Sequence, residues 1–372
     1  MAFPNKPIAH LLGSSGDEPL HLNSTLEGPV HALAYSASPG TYVLAGSSDR
    51  SIRLYNPQPS TTNHSPSSHL SKKGTNPAIP EGRLIQTYSA HGYEVLSLSV
   101  SADNARFASA GGDRSVFLWD VASAQTLRRF GGGPQGHSAR INSVCFAGED
   151  DSLLISGGLD ASVRIWDVRS GAPKPVQVLT EAKDAVTALV AHGSEIVAGS
   201  VDGRVRTYDV RAGRCIMDVL GPSVTSLCLT RDGKAVLVSG LDSQLRLMDR
   251  ETGGCLKTYG DPGRKNEDLR IQSILGGKEQ YVLSGDEMTE APGQDAEGRI
   301  WAWDVVTGEL KATIHVPWGP VGLEPRKKII GKDGKEKERT NVISCLTWRE
   351  GGFGDQFSVS GTSGVVTVYG YN

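Results

Sequence analysis

An acidic or polar turn residue followed six positions later by a large, mostly aromatic residue recurs seven times, and no other feature restricts the possible folds of this chain as strongly. The pairs are Asp49/Tyr55, Asp113/Trp119, Asp160/Trp166, Asp202/Tyr208, Asp242/Met248, Glu297/Trp303 and Ser363/Tyr369. The large residues are spaced 64, 47, 42, 40, 55 and 66 apart. The base period is that of a four-stranded blade, ~40 to 45 residues, with three gaps stretched by insertions.

A second signature lies upstream of each turn, where an apolar residue is followed two positions later by Ala or Ser: Val30/Ala32, Val95/Ser97, Ile141/Ser143, Val186/Ala188, Val224/Ser226, Ile271/Ser273 and Val342/Ser344. This segment reads as the innermost strand of each unit, where seven strands crowd round a central channel and only small side chains fit. Leu153 to Gly158 and Glu195 to Ser200 read as second strands, and the period-two alternation of Ser162 to Trp166 as a third. Thr126 to Phe130, Val176 to Leu179 and Cys215 to Val219 read as outer strands. A four-stranded sheet cannot bury both faces alone, so the units must pack on one another in a closed ring. The chain is therefore expected to be all-β, a seven-bladed β-propeller over residues 20–372 behind an N-terminal tail, 1–19. The last unit stops one strand short at Gly370 to Asn372, and Leu20 to Leu26 is the segment expected to complete it and remove an open edge.

These residues resemble the WD-repeat family. Two units carry the family's His, Ser, Asp and Trp tetrad: His91, Ser109, Asp113 and Trp119, then His137, Ser156, Asp160 and Trp166. The segments YSAHGYEVL, LWDVASAQTL, EIVAGSVDGRVRTYDVR and DSQLRLMDRETG are similar to those of a WD-repeat scaffold linked to kinase signalling and found with spliceosomal particles. That resemblance implies a non-enzymatic scaffold with splicing factors or signalling kinases as partners. It also implies indirect association with RNA, residence in nucleus and cytoplasm, and a monomeric propeller working inside larger complexes.

Composition excludes several other classes. With a formal charge of -3 and a pI near 6.3, no global basic field draws the chain to nucleic acid or anionic lipid. No apolar run approaches the ~20 residues a membrane-crossing helix needs, and Met1 to His10 lacks a signal-peptide layout. A soluble intracellular protein without membrane partners is expected. Five cysteines without CxxC spacing, Cys145, Cys215, Cys228, Cys255 and Cys345, argue against a disulfide framework and a zinc knuckle.

Three insertions interrupt the repeat, at 57–82, 286–298 and 317–340. The first, Pro57 to Gly82, is polar and proline-rich, reads as a mobile loop, and contains a minimal proline-directed phosphorylation site at Ser65-Pro66. Asp286 to Gly298 is acidic and reads as flexible. Pro317 to Thr340 carries Arg326, Lys327, Lys328, Lys332, Lys335, Lys337 and Arg339 against four acids, a run suited to an acidic protein surface or RNA phosphates but more often a solvated loop.

Catalytic readings fail on their surroundings. In the tetrads His, Ser and Asp are expected to satisfy one another with no exposed nucleophile. Gly131, Gly133 and Gly136 fit GxGxxG, but Pro134 interrupts them and a strand follows where a dinucleotide site needs a helix. Asn23-Ser24-Thr25 and Asn63-His64-Ser65 match glycosylation sequons without a secretory context. The histidines lack ligand spacing, so neither metal nor cofactor is expected.

Partner contacts are expected on the face carrying the inner-strand starts and the turns before each Asp. His31, Glu94, Leu96, Arg140, Asn142, Leu159, Val201, Leu241, Arg270 and Gln272 occupy those positions, with Leu159, Val201 and Leu241 as an apolar set ringed by Arg140 and Arg270. An alternative comes from IWDVR, Ile165 to Arg169, whose Trp166-to-Arg169 stretch resembles the WDxR box by which substrate receptors hold the adaptor of cullin-type ubiquitin ligases; TYDVR, Thr207 to Arg211, echoes it.

Overall fold

A computed structural model describes residues 3–4, 6–11, 28–59, 82–287, 297–318, 329–330, 336–337, 341–349 and 355–370. Seven four-stranded antiparallel sheets, each an inner-to-outer meander, form seven blades. Blade 1 comprises Val30–Tyr35, Val43–Ser47, Ser51–Pro59 and Gly82–Ser89; blade 2 Val95–Val100, Arg106–Gly111, Ser115–Asp120 and Thr126–Gly131. Blade 3 comprises Ile141–Ala147, Leu153–Gly158, Val163–Asp167 and Gln177–Leu179; blade 4 Val186–His192, Glu195–Ser200, Arg204–Asp209 and Arg214–Val219. Blade 5 comprises Val224–Leu229, Ala235–Gly240, Leu245–Asp249 and Cys255–Tyr259; blade 6 Ser273–Gly276, Tyr281–Gly285, Gly298–Asp304 and Leu310–Val316. Blade 7 comprises Ile343–Trp348, Gln356–Gly361, Val366–Gly370 and, from the other end of the chain, Lys6–Leu11. Each inner strand packs on the next, and that of blade 7 on that of blade 1, so the ring is closed.

The core lies between blades. Ile155, Ile165 and Leu179 of blade 3, for example, pack against Val186, Leu189 and Ile196 of blade 4 in one buried cluster. Close approach at these junctions explains why the second strands are small: a Cβ on Gly46, Gly157 or Gly199 would sit 2.7, 2.6 or 2.5 Å from the Val95, Val186 or Val224 side chain of the following blade.

The inner-strand signature marks a bulge. Register shifts between Val30 and Ala32, Val95 and Ser97, Ile141 and Ser143, Val186 and Ala188, and Val224 and Ser226 leave the intervening residue unpaired. In blade 7 the shift lies between Ile343 and Cys345, one position beyond the expected Val342/Ser344. Val342 instead offers its carbonyl to the Thr362 N–H, as Pro29 does to Ser48 and Arg140 to Leu159. Cys345, fully buried, replaces serine as the small residue. The signature serines also stitch blades together: Ser97 Oγ accepts the Val144 N–H (3.0 Å), Ser143 Oγ that of Leu189 (3.1 Å) and Ser226 Oγ that of Ser273 (3.1 Å).

Closure differs from expectation. The strand completing blade 7 is Lys6–Leu11, running from Lys6 opposite Gly370 to Leu11 opposite Val366, so the supposed tail is part of the ring. Residues 20–26 lie outside the described residues. Pro7 makes this run a poor strand by sequence, yet at a blade's outer edge one flank of the ladder is open and a missing N–H is tolerated. Ile8 packs into the core between blades 7 and 1, while Phe3 lies edge-on to Tyr281 and against Trp348 and Phe357.

The second insertion differs too. Asp286 and Glu287 are buried, and the Glu287 carboxylate receives the N–H groups of Glu267, Asp268 and Leu269. Its remainder, 288–296, lies outside the described residues, as does 60–81 with Ser65. In the third insertion Ile329–Ile330 pairs with Glu336–Lys337, and most of its basic run lies outside the described residues.

Candidate functional site

In blades 1, 2, 3 and 7 the residue left unpaired by the bulge, His31, Leu96, Asn142 or Ser344, lines the channel, and in blade 6 Gln272, just ahead of the inner strand, does so. At the end of the channel where the inner strands begin, His31, Leu96, Asn142, Gln272 and Ser344 line a cavity of about 140 Å³ together with Arg140 and Arg270 from the residues just before two of those strands. Five blades contribute, so the site exists only in the closed ring. Six of the ten expected contact residues meet here.

Arg270 governs the geometry. It enters from the start of blade 6, donates Nη1 to the Asn142 carbonyl of blade 3 (2.8 Å), and points Nε at the Thr225 carbonyl of blade 5 (3.4 Å). Burial and the neighbouring Arg140 push its pKa down to about 10. Among the described residues no carboxylate lies within 4.0 Å of either arginine. The cavity therefore holds concentrated, partly desolvated positive charge, an arrangement that favours an incoming anion. His31 donates to or accepts from Ser48 Oγ (2.7 Å). Burial lowers its pKa, with Arg270 and Arg140 adding to the effect and Glu94 opposing it. Asn142 is fixed by a 2.8 Å bond from Nδ2 to the Val186 carbonyl.

Leu159, Val201 and Leu241 stand outside the cavity on the same face. Their N–H groups bond the carbonyls of Arg140, Ala185 and Ser223, which pins them to the turns round the mouth. Leu159 and Val201 are 49% and 37% exposed.

In each of the two tetrads the four side chains form one hydrogen-bonded chain. Trp119 Nε1 donates to Ser109 Oγ (2.8 Å), leaving that hydroxyl's proton for His91 Nε2 (2.7 Å), so the ring N–H is at Nδ1 and donates to the Asp113 carboxylate (2.5 Å). Trp166, Ser156, His137 and Asp160 repeat this at 2.8, 2.8 and 2.9 Å. Both serines are fully buried. Burial alone would raise Asp160, but the hydrogen bond and charge of His137 outweigh it and hold the carboxyl well below the usual range.

Sequence reasoning missed what replaces histidine elsewhere. In blades 1 and 4 the arginine four residues after the turn aspartate folds back on it, Arg53 on Asp49 at 2.7 Å and Arg206 on Asp202 at 2.6 Å, and Arg246 meets Asp242 likewise in blade 5. The signal was present as Asp-x-x-x-Arg-x-Tyr or Met. In blade 6 the acid is Asp286, which accepts from Trp301 Nε1 (2.9 Å) and pairs with Arg299 (3.0 Å), while Arg264 bonds Ser284 (2.8 Å). The expected Glu297 lies instead near His315 (3.5 Å), because the insertion separates the acid from its strand.

Arg169 projects from the opposite face with its side chain 66% exposed, within 3.7 Å of Asp150.

The model of the WD domain, G-beta repeat, matches residues 20–56, 82–120, 126–167 and 173–209. The chain is 39% identical over 295 residues to human WD repeat domain-containing protein 83, covering 79% of this chain and 81% of that protein. The mouse protein of the same name is 38% identical over 317 residues, with 85% and 87% covered. A homolog in Dictyostelium discoideum is 31% identical over 319 residues, with 78% and 86% covered. With its tetrads, its seven blades and these relatives, the chain belongs to the WD-repeat family and is homologous to WD repeat domain-containing protein 83.

Proposed function

We propose that this protein is a non-enzymatic scaffold that grips an acidic element of a partner protein at the channel mouth, as an accessory of pre-mRNA splicing complexes or as an organizer of a mitogen-activated protein kinase cascade, in nucleus and cytoplasm. The observation that carries the binding mode is the pair Arg140 and Arg270, two cations lining one small cavity with no carboxylate within 4.0 Å of either among the described residues. An acidic side chain of the partner supplies the missing charge, and Leu159 and Val201 offer apolar contact beside it. Splicing or kinase partners are supported by the segments that resemble the kinase organizer and by the homology to WD repeat domain-containing protein 83.

A second reading, substrate receptor of a cullin-type ligase, is favoured by the exposure of Arg169 at the end of its Trp166-to-Arg169 box. Affinity purification separates the two. On the scaffold reading, splicing proteins or kinases dominate the eluate and are lost with Arg140→Glu. On the receptor reading the ligase adaptor dominates and is lost with Arg169→Ala. An eluate unchanged by Arg140→Glu contradicts the channel-mouth mode.

A further inference from the structure

The junction between blades 6 and 7 shows, within this chain, what an inter-blade groove on the face away from the channel mouth can hold. There Tyr281 opens the second strand of blade 6, Trp348 ends the inner strand of blade 7, and Phe357 sits opposite Trp348 in the next strand. The ring of Phe3 lies in the pocket they form, 5.0, 6.5 and 5.9 Å from theirs.

Strand register places Leu153, Ala191 and Ile196 at the same three positions between blades 3 and 4. That junction is an open groove of about 750 Å³ lined by all three. Junctions 2–3, 4–5 and 7–1 put the polar Arg106, Glu195 and Gln356 at the first position, so their grooves are unlike it. Junctions 1–2 and 5–6 carry the larger Val100 and Leu275 where blade 4 has Ala191, and the groove at junction 1–2 is smaller, about 450 Å³, and has the polar Thr41 and Asn104 in its lining. Between blades 3 and 4 a small side chain, Ala191, lies between the apolar Leu153 and Ile196 in the wider groove.

The rim adds charge. Glu149, Asp151 and Glu195 line the groove together with Arg211, and Glu195 is paired with Arg250, which leaves Glu149 and Asp151 as the rim's excess negative charge. Two of the carboxylates are held in place: Asp151 accepts the Ala102 N–H (2.6 Å) and Arg250 meets Glu195 at 2.6 Å. An apolar floor with an acidic rim selects an apolar side chain flanked by positive charge.

We propose that the groove between blades 3 and 4 docks a partner peptide through one aromatic side chain flanked by basic residues, seated as Phe3 is between blades 6 and 7. This site is independent of the channel mouth and lies on the other face.

Methyl-resolved NMR of the full chain tests it with three probes, acetyl-Arg-Phe-Arg-amide, acetyl-Glu-Phe-Glu-amide and acetyl-Arg-Ala-Arg-amide. The expected result is saturable shifts of the Leu153, Ile155 and Ile196 methyls with the first peptide and at least tenfold weaker binding of the other two. Ala191→Arg, which puts a long cationic side chain into the apolar floor, should abolish the shifts. Glu149→Lys, at an exposed position, should remove most of the preference for arginine over glutamate while leaving the spectrum native. Absence of saturable shifts, equal binding of all three peptides, or a preference unaltered by Glu149→Lys would overturn the proposal.

Discussion

Arg270 Nη1 donates to the carbonyl of Asn142 at 2.8 Å, a bond between residues 128 positions apart that joins the entrance of blade 6 to the inner strand of blade 3. With the Nε contact to the Thr225 carbonyl, the guanidinium spends two donors on backbone carbonyls, and among the described residues no carboxylate lies within 4.0 Å of it. Calorimetric titration with acetyl-Glu-Glu-Glu-amide is expected to show binding that weakens as salt is raised. Binding should fall at least tenfold in Arg140→Ala and be lost in Arg270→Leu. Equal affinity in all three proteins would remove the anion site from the account.

The serine at the inner-strand bulge acts between blades. Ser143 Oγ is the acceptor for the buried Leu189 N–H (3.1 Å). Ser143→Ala leaves that group without a partner, so urea unfolding should show a loss of about 1–3 kcal/mol. Ser123→Ala, on an exposed turn, should stay within about 0.5 kcal/mol.

Arg206 is 2% exposed and pairs with Asp202 while also donating to Ser200 (2.8 Å). Arg206→Met strands a half-buried carboxylate and is expected to cost about 3–5 kcal/mol, whereas the double change with Asp202→Asn should recover a good part. A double variant no more stable than the single one would show that the pair is not the interaction that matters in blade 4.

Acid should unfold the ring through its turn carboxylates. Asp113 and Asp160 are drawn down despite burial by His91 and His137, and Asp202 by Arg206 and Ser200. A carboxyl lowered in the folded state contributes stability above its unfolded pKa, near ~3.9, and loses it as pH falls toward the folded value. Thermal stability is therefore expected to hold from neutrality to about pH 4 and to drop below it. Asp160→Asn should lower the plateau and flatten the acid limb. Unchanged steepness in that variant would assign the acid limb to other groups.

Much of this molecule is legible in the sequence because each blade repeats the same local solution. The turn acid and the large residue six positions on sit in one strand and its preceding turn, so their spacing survives any tertiary arrangement. Val95/Ser97 and its counterparts were readable for the same reason, although their bulge was not, since unpaired residues are defined by the partner strand. Closure was read from the wrong segment because Pro7 hides an edge strand whose register is set by Val366–Gly370, more than 350 residues away. Arg264 and Asp286 were missed because insertions carry blade 6 out of the common spacing. Channel-mouth residues were found by counting from inner-strand starts, but nothing local could tell that Arg270 crosses the channel while Leu159 stays on the rim.

Cross-linking mass spectrometry on native complexes tests the central claim most directly. Lys183 and Lys265 are exposed in loops on the channel-mouth face, and Lys234 and Lys278 are exposed on the opposite face at blades 5 and 6. Links to partner proteins are predicted to concentrate on Lys183 and Lys265 and to disappear with Arg140→Glu. Links concentrated on Lys234 and Lys278, or unaffected by that change, would contradict a platform gripped at the mouth of its channel.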